Sequence, residues 1–335
     1  MDYKVITMGS CTLDCIIQIK DVLRFELLRD EEVKKYTAIE YSSKLNIEDV
    51  RFIPGGSAAN IASDCSMMGI KSAYLGILGD DFSAKMCLED LKNRGVDTSY
   101  IQLTDKDNTA YSVILKAGWG KDRSILAYKG ANNLISPSDI KEELFDNIKA
   151  FAWTSLTKEN SCKAIEKAID LTKSQNATVF AAPSMSIIKN NPEWAEKLVS
   201  KSDILSLNRE EASALLGMSD DASIIKEFID RGLHLVSITN GKNGSILSDG
   251  KSIINNAVYE TTVKDTTGAG DAFMSGLIVS SLENYSLKKT AQFCSALSSF
   301  EARELGVREG LPKSREVIEQ FMKENKLKQV FSELS

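Results

Sequence analysis

Asp265-Thr266-Thr267-Gly268-Ala269-Gly270-Asp271-Ala272-Phe273 joins a glycine-permitted tight backbone to a helix start and a carboxylate. Gly268 and Gly270 admit turn geometries that a Cβ disfavours, and Ala272, Phe273, Met274, Gly276, Leu277 and Ile278 continue as a buried helix. The first-turn amides of such a helix lack intrahelical acceptors and, with the helix dipole, make an anion site. Asp271 beside that site reads as a general base that takes a proton from an attacking hydroxyl, while the amides of Gly268, Ala269 and Gly270 hold the transferring phosphoryl group. Taken alone, the run also fits an ordinary capping turn with Asp271 in the first helical turn.

A second run, Pro54-Gly55-Gly56-Ser57-Ala58-Ala59-Asn60-Ile61-Ala62, has the same grammar of a break, two glycines, small residues and an apolar helix. Small residues let another molecule approach the backbone, and Asn60 offers both a donor and an acceptor there. Together the two runs resemble both signatures of the PfkB/ribokinase family of small-molecule kinases, and the resemblance extends from Gly9 to about Pro312.

Composition sets bounds on the partners. At 335 residues and 43% hydrophobic content the chain can bury a large core. A net charge of -6 argues against nucleic acid or an anionic membrane surface, so anionic ligands must be held locally. Apolar runs fall short of bilayer-spanning length, and Met1-Asp2-Tyr3-Lys4 leads directly into a strand, so the expectation is a cytoplasmic protein. Six scattered cysteines without CxxC spacing read as reduced core residues. The single histidine, His234, leaves no Ser/His/Asp triad or multi-histidine metal site.

Strand-like runs at 5–8, 72–78, 151–154, 178–181, 204–207 and 235–239 are mostly followed by amphipathic helical patterns, among them 83–94, 159–174, 210–216 and 222–231. Such alternation predicts a doubly wound, mostly parallel α/β sheet with helices on both faces and ligands at the carboxyl ends of the strands. Two polar stretches, 15–52 and 99–128, break the alternation; the second turns at Gly118-Trp119-Gly120. The resemblance implies that they form a small β-sheet lid over the acceptor site, with 1–14, 53–98 and 129–335 as the ribokinase-like core. It also leaves open a homodimer formed through the lid.

The remaining site residues follow from the resemblance. Asp14, just past the first strand, matches the aspartate that grips substrate hydroxyls, with Gly55, Gly56 and Asn60 beside the acceptor. Asn208 and Glu211 match an Asn-x-x-Glu motif tied, through water, to Mg2+ and the phosphates; as plain sequence they also read as a helix cap. Thr239, Gly241 and Gly244 resemble the nucleotide loop, and neither a Walker A pattern nor a protein-kinase catalytic loop is present. Asp265 and Thr267 match positions of a monovalent cation (K+) site in potassium-activated relatives. Arg123 is a candidate contact to phosphates or to an acidic group on the substrate. The expected activity is ATP- and Mg2+-dependent phosphorylation of a small sugar. The length of the first lid stretch keeps a nucleoside acceptor open, and a non-catalytic sugar or nucleotide sensor is the alternative of a different class.

Overall fold

A computed structural model describes residues 4–20, 22–29, 32–117, 123–304, 306–312 and 314–327. The chain runs β1 (Lys4–Met8), β2 (Thr12–Ile19), β3 (Leu23–Arg29), β4 (Glu32–Ala38), β5 (Ile47–Gly55), α1 (Ser57–Met67), β6 (Lys71–Gly79), α2 (Phe82–Asn93), β7 (Ile101–Thr104), β8 (Ala110–Ala117) and β9 (Arg123–Tyr128). It continues through β10 (Ala150–Thr154), α3 (Glu159–Ser174), β11 (Thr178–Ala182), α4 (Met185–Asn190), α5 (Pro192–Ser200), β12 (Ile204–Asn208), α6 (Arg209–Leu216), α7 (Asp221–Asp230) and β13 (Leu235–Thr239). It closes with β14 (Ser245–Ser248), β15 (Ile253–Asn256), α8 (Ala269–Leu282), α9 (Leu287–Glu301) and α10 (Arg315–Glu324).

The large sheet has the order β15-β14-β13-β12-β11-β10-β1-β6-β7, parallel from β13 to β7, with β14 antiparallel to both β13 and β15 at one edge. Its strands are apolar on both sides because both faces are covered. β1 sends Ile6 and Met8 into one core, with α3, α5, α6 and α7, and Val5 into the other, with α1, α8, α9 and α10. β10 does the same with Phe151 and Trp153 against Ala150 and Ala152. Each fully buried large side chain of this kind contributes about 1.5–3 kcal/mol.

From β1 the sheet grows one way through β6 and β7 and the other way through β10 to β13, so the carboxyl end of β1 is the topological switch point where ligands of such folds bind. The two strand ends approach closely there. A Cβ on Gly9 would lie 2.0 Å from Thr154 Oγ1, which glycine alone avoids. Thr154 Oγ1 instead accepts the Ser10 amide at 3.3 Å.

A second sheet, β5-β2-β8-β9, stands apart, and β3 pairs with β4 alone. Two expected boundaries move. β2 starts at Thr12 and β5 ends at Gly55, so Asp14 lies inside a small-sheet strand rather than at the end of the core segment 1–14. The stretch 99–128 divides: β7 joins the edge of the large sheet with Ile101 opposite Gly76, because Ile101 packs on the α1–α2 core, while β8 and β9 enter the small sheet. Among the described residues no helix is long and apolar enough to cross a membrane, and all six cysteines are free and buried.

Candidate active site

α8 is apolar all round, with residues 272–280 buried, and Gly276 packs so closely on α9 that a Cβ would lie 2.9 Å from Cys294. The helix is therefore a rigid mount for its N-terminus. Gly268 caps it at φ +82°, the left-handed conformation glycine tolerates, and its carbonyl accepts the Ala272 amide at 2.8 Å. Ala269 was expected among the anion donors, but its amide closes the turn onto Thr266 O at 3.3 Å. By position, Gly270 and Asp271 have amides without intrahelical acceptors.

The two glycine runs, separated by 211 positions, meet here: Asn60 Nδ2 donates to Asp271 Oδ2 at 2.6 Å. α1 is drawn to this point by its small residues. A Cβ on Gly56 would lie 2.5 Å from Ser10 O, and Ser57 and Ala59 amides donate to Ser10 Oγ and O at 3.0 and 3.3 Å. Burial pushes the Asp271 carboxyl up, tempered by bonds from Asn60 and Ser57 and by the Arg308 charge, which makes it a stronger base than an exposed carboxylate. Asp14 is pushed up to about 6, chiefly by burial and further by the Asp271 charge, against the pull of Ser112 and Arg308. A Cβ on Gly55 would sit 2.6 Å from Asp14 Oδ2, so the glycine leaves room for that carboxylate.

Arg308 organises this cluster, and the sequence did not point to it. It is 3% exposed with φ +81°. Its Nε donates to Asn60 Oδ1 at 2.7 Å, its Nη2 to Gly55 O at 3.1 Å, and its Nη1 pairs with Asp90. Because Arg308 can only donate, Asn60 must turn its oxygen to Arg308 and its NH2 to Asp271. The Arg308 amide donates to Glu301 Oε1 at 2.6 Å. Burial pushes Glu301 up to about 7 and Asp64 well above the usual carboxylate range. Asp64 did leave a trace in the sequence, a carboxylate between Ile61 and Cys65 on the buried face of α1; Arg308, in Gly306-Val307-Arg308-Glu309-Gly310, reads as a solvated turn.

Asn208 and Thr239 lie side by side at the carboxyl ends of β12 and β13. Asn208 caps α6: its Oδ1 accepts the Glu211 amide at 2.9 Å, and Glu211 Oε2 accepts the Asn208 amide at 3.0 Å. Glu211 Oε1 also accepts the Met185 amide at 3.3 Å. Each Glu211 oxygen keeps a lone pair for a metal-bound water, so the residue fits Mg2+ held through water. Burial raises the Glu211 carboxyl, partly opposed by the Asn208 and Met185 amides, and the Asp271 charge adds to the rise. Gly241 and Gly244 shape the turn into β14, where the Asn240 amide donates to Gly244 O at 2.8 Å. Arg123 opens β9 opposite Lys116, and its side chain lies outside the described residues, as does the turn at 118–120.

Asp265 is engaged differently from the expectation. Its Oδ1 accepts the Thr267 amide and hydroxyl at 3.0 and 2.7 Å, and its Oδ2 accepts Lys116 Nζ at 3.1 Å. Burial would raise this carboxyl, but the Thr267 bonds and the ammonium outweigh it and hold it below the usual range. The Lys116 ammonium therefore already balances the charge of the carboxylate that was expected, with Thr267, at a monovalent cation site.

A doubly wound α/β fold whose helix N-terminus presents open amides beside a buried carboxylate, with a small sheet bringing a second carboxylate, defines a small-molecule kinase of ribokinase type. The model of the pfkB family carbohydrate kinases matches residues 29–314, and the chain belongs to that family of ATP-dependent carbohydrate kinases. The ATP-dependent 6-phosphofructokinase of Thermoanaerobacterium thermosaccharolyticum is 29% identical over 92% of this chain and 91% of its own. The 5-dehydro-2-deoxygluconokinase of Clostridium beijerinckii is 30% identical over 81% of this chain and 84% of its own. A putative ribokinase II from E. coli, solved in complex with ATP and Mg2+, superposes with a TM-score of 0.81 at 18% identity, covering 96% of this chain and 99% of that one.

Proposed function

We propose that this protein transfers the γ-phosphoryl group of ATP to a hydroxyl of a small sugar. The observation that carries the reading is the Arg308–Asn60–Asp271 relay, which holds a raised carboxyl at the open N-terminus of α8. Asp271 takes the acceptor proton, the Gly270 and Asp271 amides with the Gly268 turn stabilise charge on the phosphoryl oxygens, and Asp14 and Asn60 orient the acceptor. Mg2+, when bound, neutralises phosphate charge, and Glu211 would hold it through water. Thr239 and the Gly241 to Gly244 turn face the nucleotide.

The small sheet is read as a lid over the acceptor. Exposed Phe52, Ile125 and Leu126 on its outer strands support a homodimer through it. The β3–β4 hairpin lengthens the chain between β2 and β5 and favours a nucleoside as the second acceptor class. A coupled ADP-release assay with ATP and Mg2+ over sugars, sugar phosphates including fructose 6-phosphate, and nucleosides tests the reading. Turnover with a sugar or its phosphate is expected, turnover with nucleosides alone selects the second class, and none across the panel overturns the kinase assignment.

A further inference from the structure

Lys116 belongs to the small sheet, yet its ammonium reaches the loop that opens α8, 149 positions away, to meet Asp265. The lysine side chain is 27% exposed and the carboxylate 3%, so solvent screens the pair weakly. Through Thr267, the same carboxylate sets the turn leading into Gly268. This turn is rich in acidic groups, with Asp265 and Asp271 in it and Glu301 packed beneath Gly268, and a phosphoryl group brings further negative charge to it. Nearby cations are committed elsewhere: Arg308 to Asp90, Asn60 and Gly55, and Lys264 to Glu304 at the surface. On the small sheet, Ile114 and Lys116 share a face with Asp14 and Ile16 of β2, and all four line one narrow cleft with Asp265 and Val307.

We propose that Lys116 is a built-in counter-cation, a positioning residue whose ammonium replaces a bound monovalent ion at Asp265 and ties the shape of the phosphate turn to the seating of the small sheet. The proposal deepens the kinase reading above and rests on it. Because Asp14 and Lys116 ride on paired strands, a sheet displaced from the core would lose acceptor contacts and unlatch the turn in the same movement. A kinase so built needs no potassium.

The test compares turnover in potassium chloride and in tetramethylammonium chloride at equal ionic strength. The unaltered enzyme is expected to differ less than about twofold between the two salts. Lys116→Met, which keeps the length and removes the charge, should lose about tenfold or more in kcat without potassium, the scale of a charged hydrogen bond lost. Potassium or ammonium should restore part of that loss and raise the melting temperature of this variant alone. Lys116→Arg should show no cation response. Potassium activation of the unaltered enzyme above twofold, an unimpaired Lys116→Met, or a loss that no cation relieves in either readout would each overturn the proposal. Should Lys116→Met not fold, the unaltered and Lys116→Arg proteins decide it, potassium activation of either being fatal. Absence of kinase activity on every acceptor sinks the parent reading instead, and the melting comparison then judges the cation site by itself.

Discussion

Asp271 must accept a proton at the moment of attack, and its surroundings suit that role, because burial raises its proton affinity while Asn60 keeps one oxygen in place. Asp271→Asn is expected to lower kcat by roughly 100-fold or more, the usual scale of general base catalysis, with nucleotide affinity retained in calorimetry. Asp14 leads to a pH prediction. Its carboxyl titrates at about 6, and only the ionised form accepts two acceptor hydroxyls. The acceptor kcat/KM should therefore fall as pH drops below about 6, and a pH–rate profile of Asp14→Asn should lack that limb at a uniformly lower level. Asp271 was legible because it joins a glycine-rich run, and Asp14 because it follows the first strand where the resemblance implies a substrate aspartate. The residues that tune them were not, since Arg308 owes its role to Asn60, 248 positions away, and Lys116 to Asp265, 149 positions away, and no local pattern announces such a partner.

At the scale of elements, periodicity served best where strands are buried on both faces. The runs read at 5–8, 72–78, 151–154 and 235–239 lie within or coincide with β1, β6, β10 and β13. It failed for β3, β4 and β5, whose alternation is diluted by charge, and for β14 and β15, which are four residues each. The β3–β4 pair follows from this as an unsupported element, because two strands without a third are marginal in water. Phe25 stacked on Tyr36 at 5.3 Å is one of its few props. Amide hydrogen exchange should find Leu23–Arg29 and Glu32–Ala38 opening far faster than Leu235–Thr239, and the small-sheet strands slowing when a true acceptor binds; equal protection in the free protein would deny them a lid's mobility. The α8 N-terminus makes the opposite demand. Gly268→Ala adds a Cβ 3.0 Å from Glu301 Oε1 at a left-handed φ, and should cost about 1–2 kcal/mol in denaturant unfolding together with most of the turnover.

For the whole molecule, the buried acids beneath the site set how stability varies with pH. Glu301 is raised from 4.5 to about 7, so the folded state holds a proton there that the unfolded chain has released. Its contribution therefore declines as pH climbs from about 4.5 to 7, by roughly 3 kcal/mol at the outside, and stays lost above that range. Asp14 acts in the same sense between 3.8 and about 6. The unliganded protein should have a lower denaturant midpoint at pH 8 than at pH 5.5, and Glu301→Gln should flatten the difference. Arg308 has a consequence for biosynthesis as well. The groups it binds, Asn60 and Asp90, leave the ribosome 248 and 218 residues before it does, and until then the first third of the chain carries these interior polar groups without their guanidinium. A nascent chain halted or clipped before residue 308 would thus hold nearly every strand and helix of the core and still present an incomplete interior, the kind of product that chaperones retain and proteases clear.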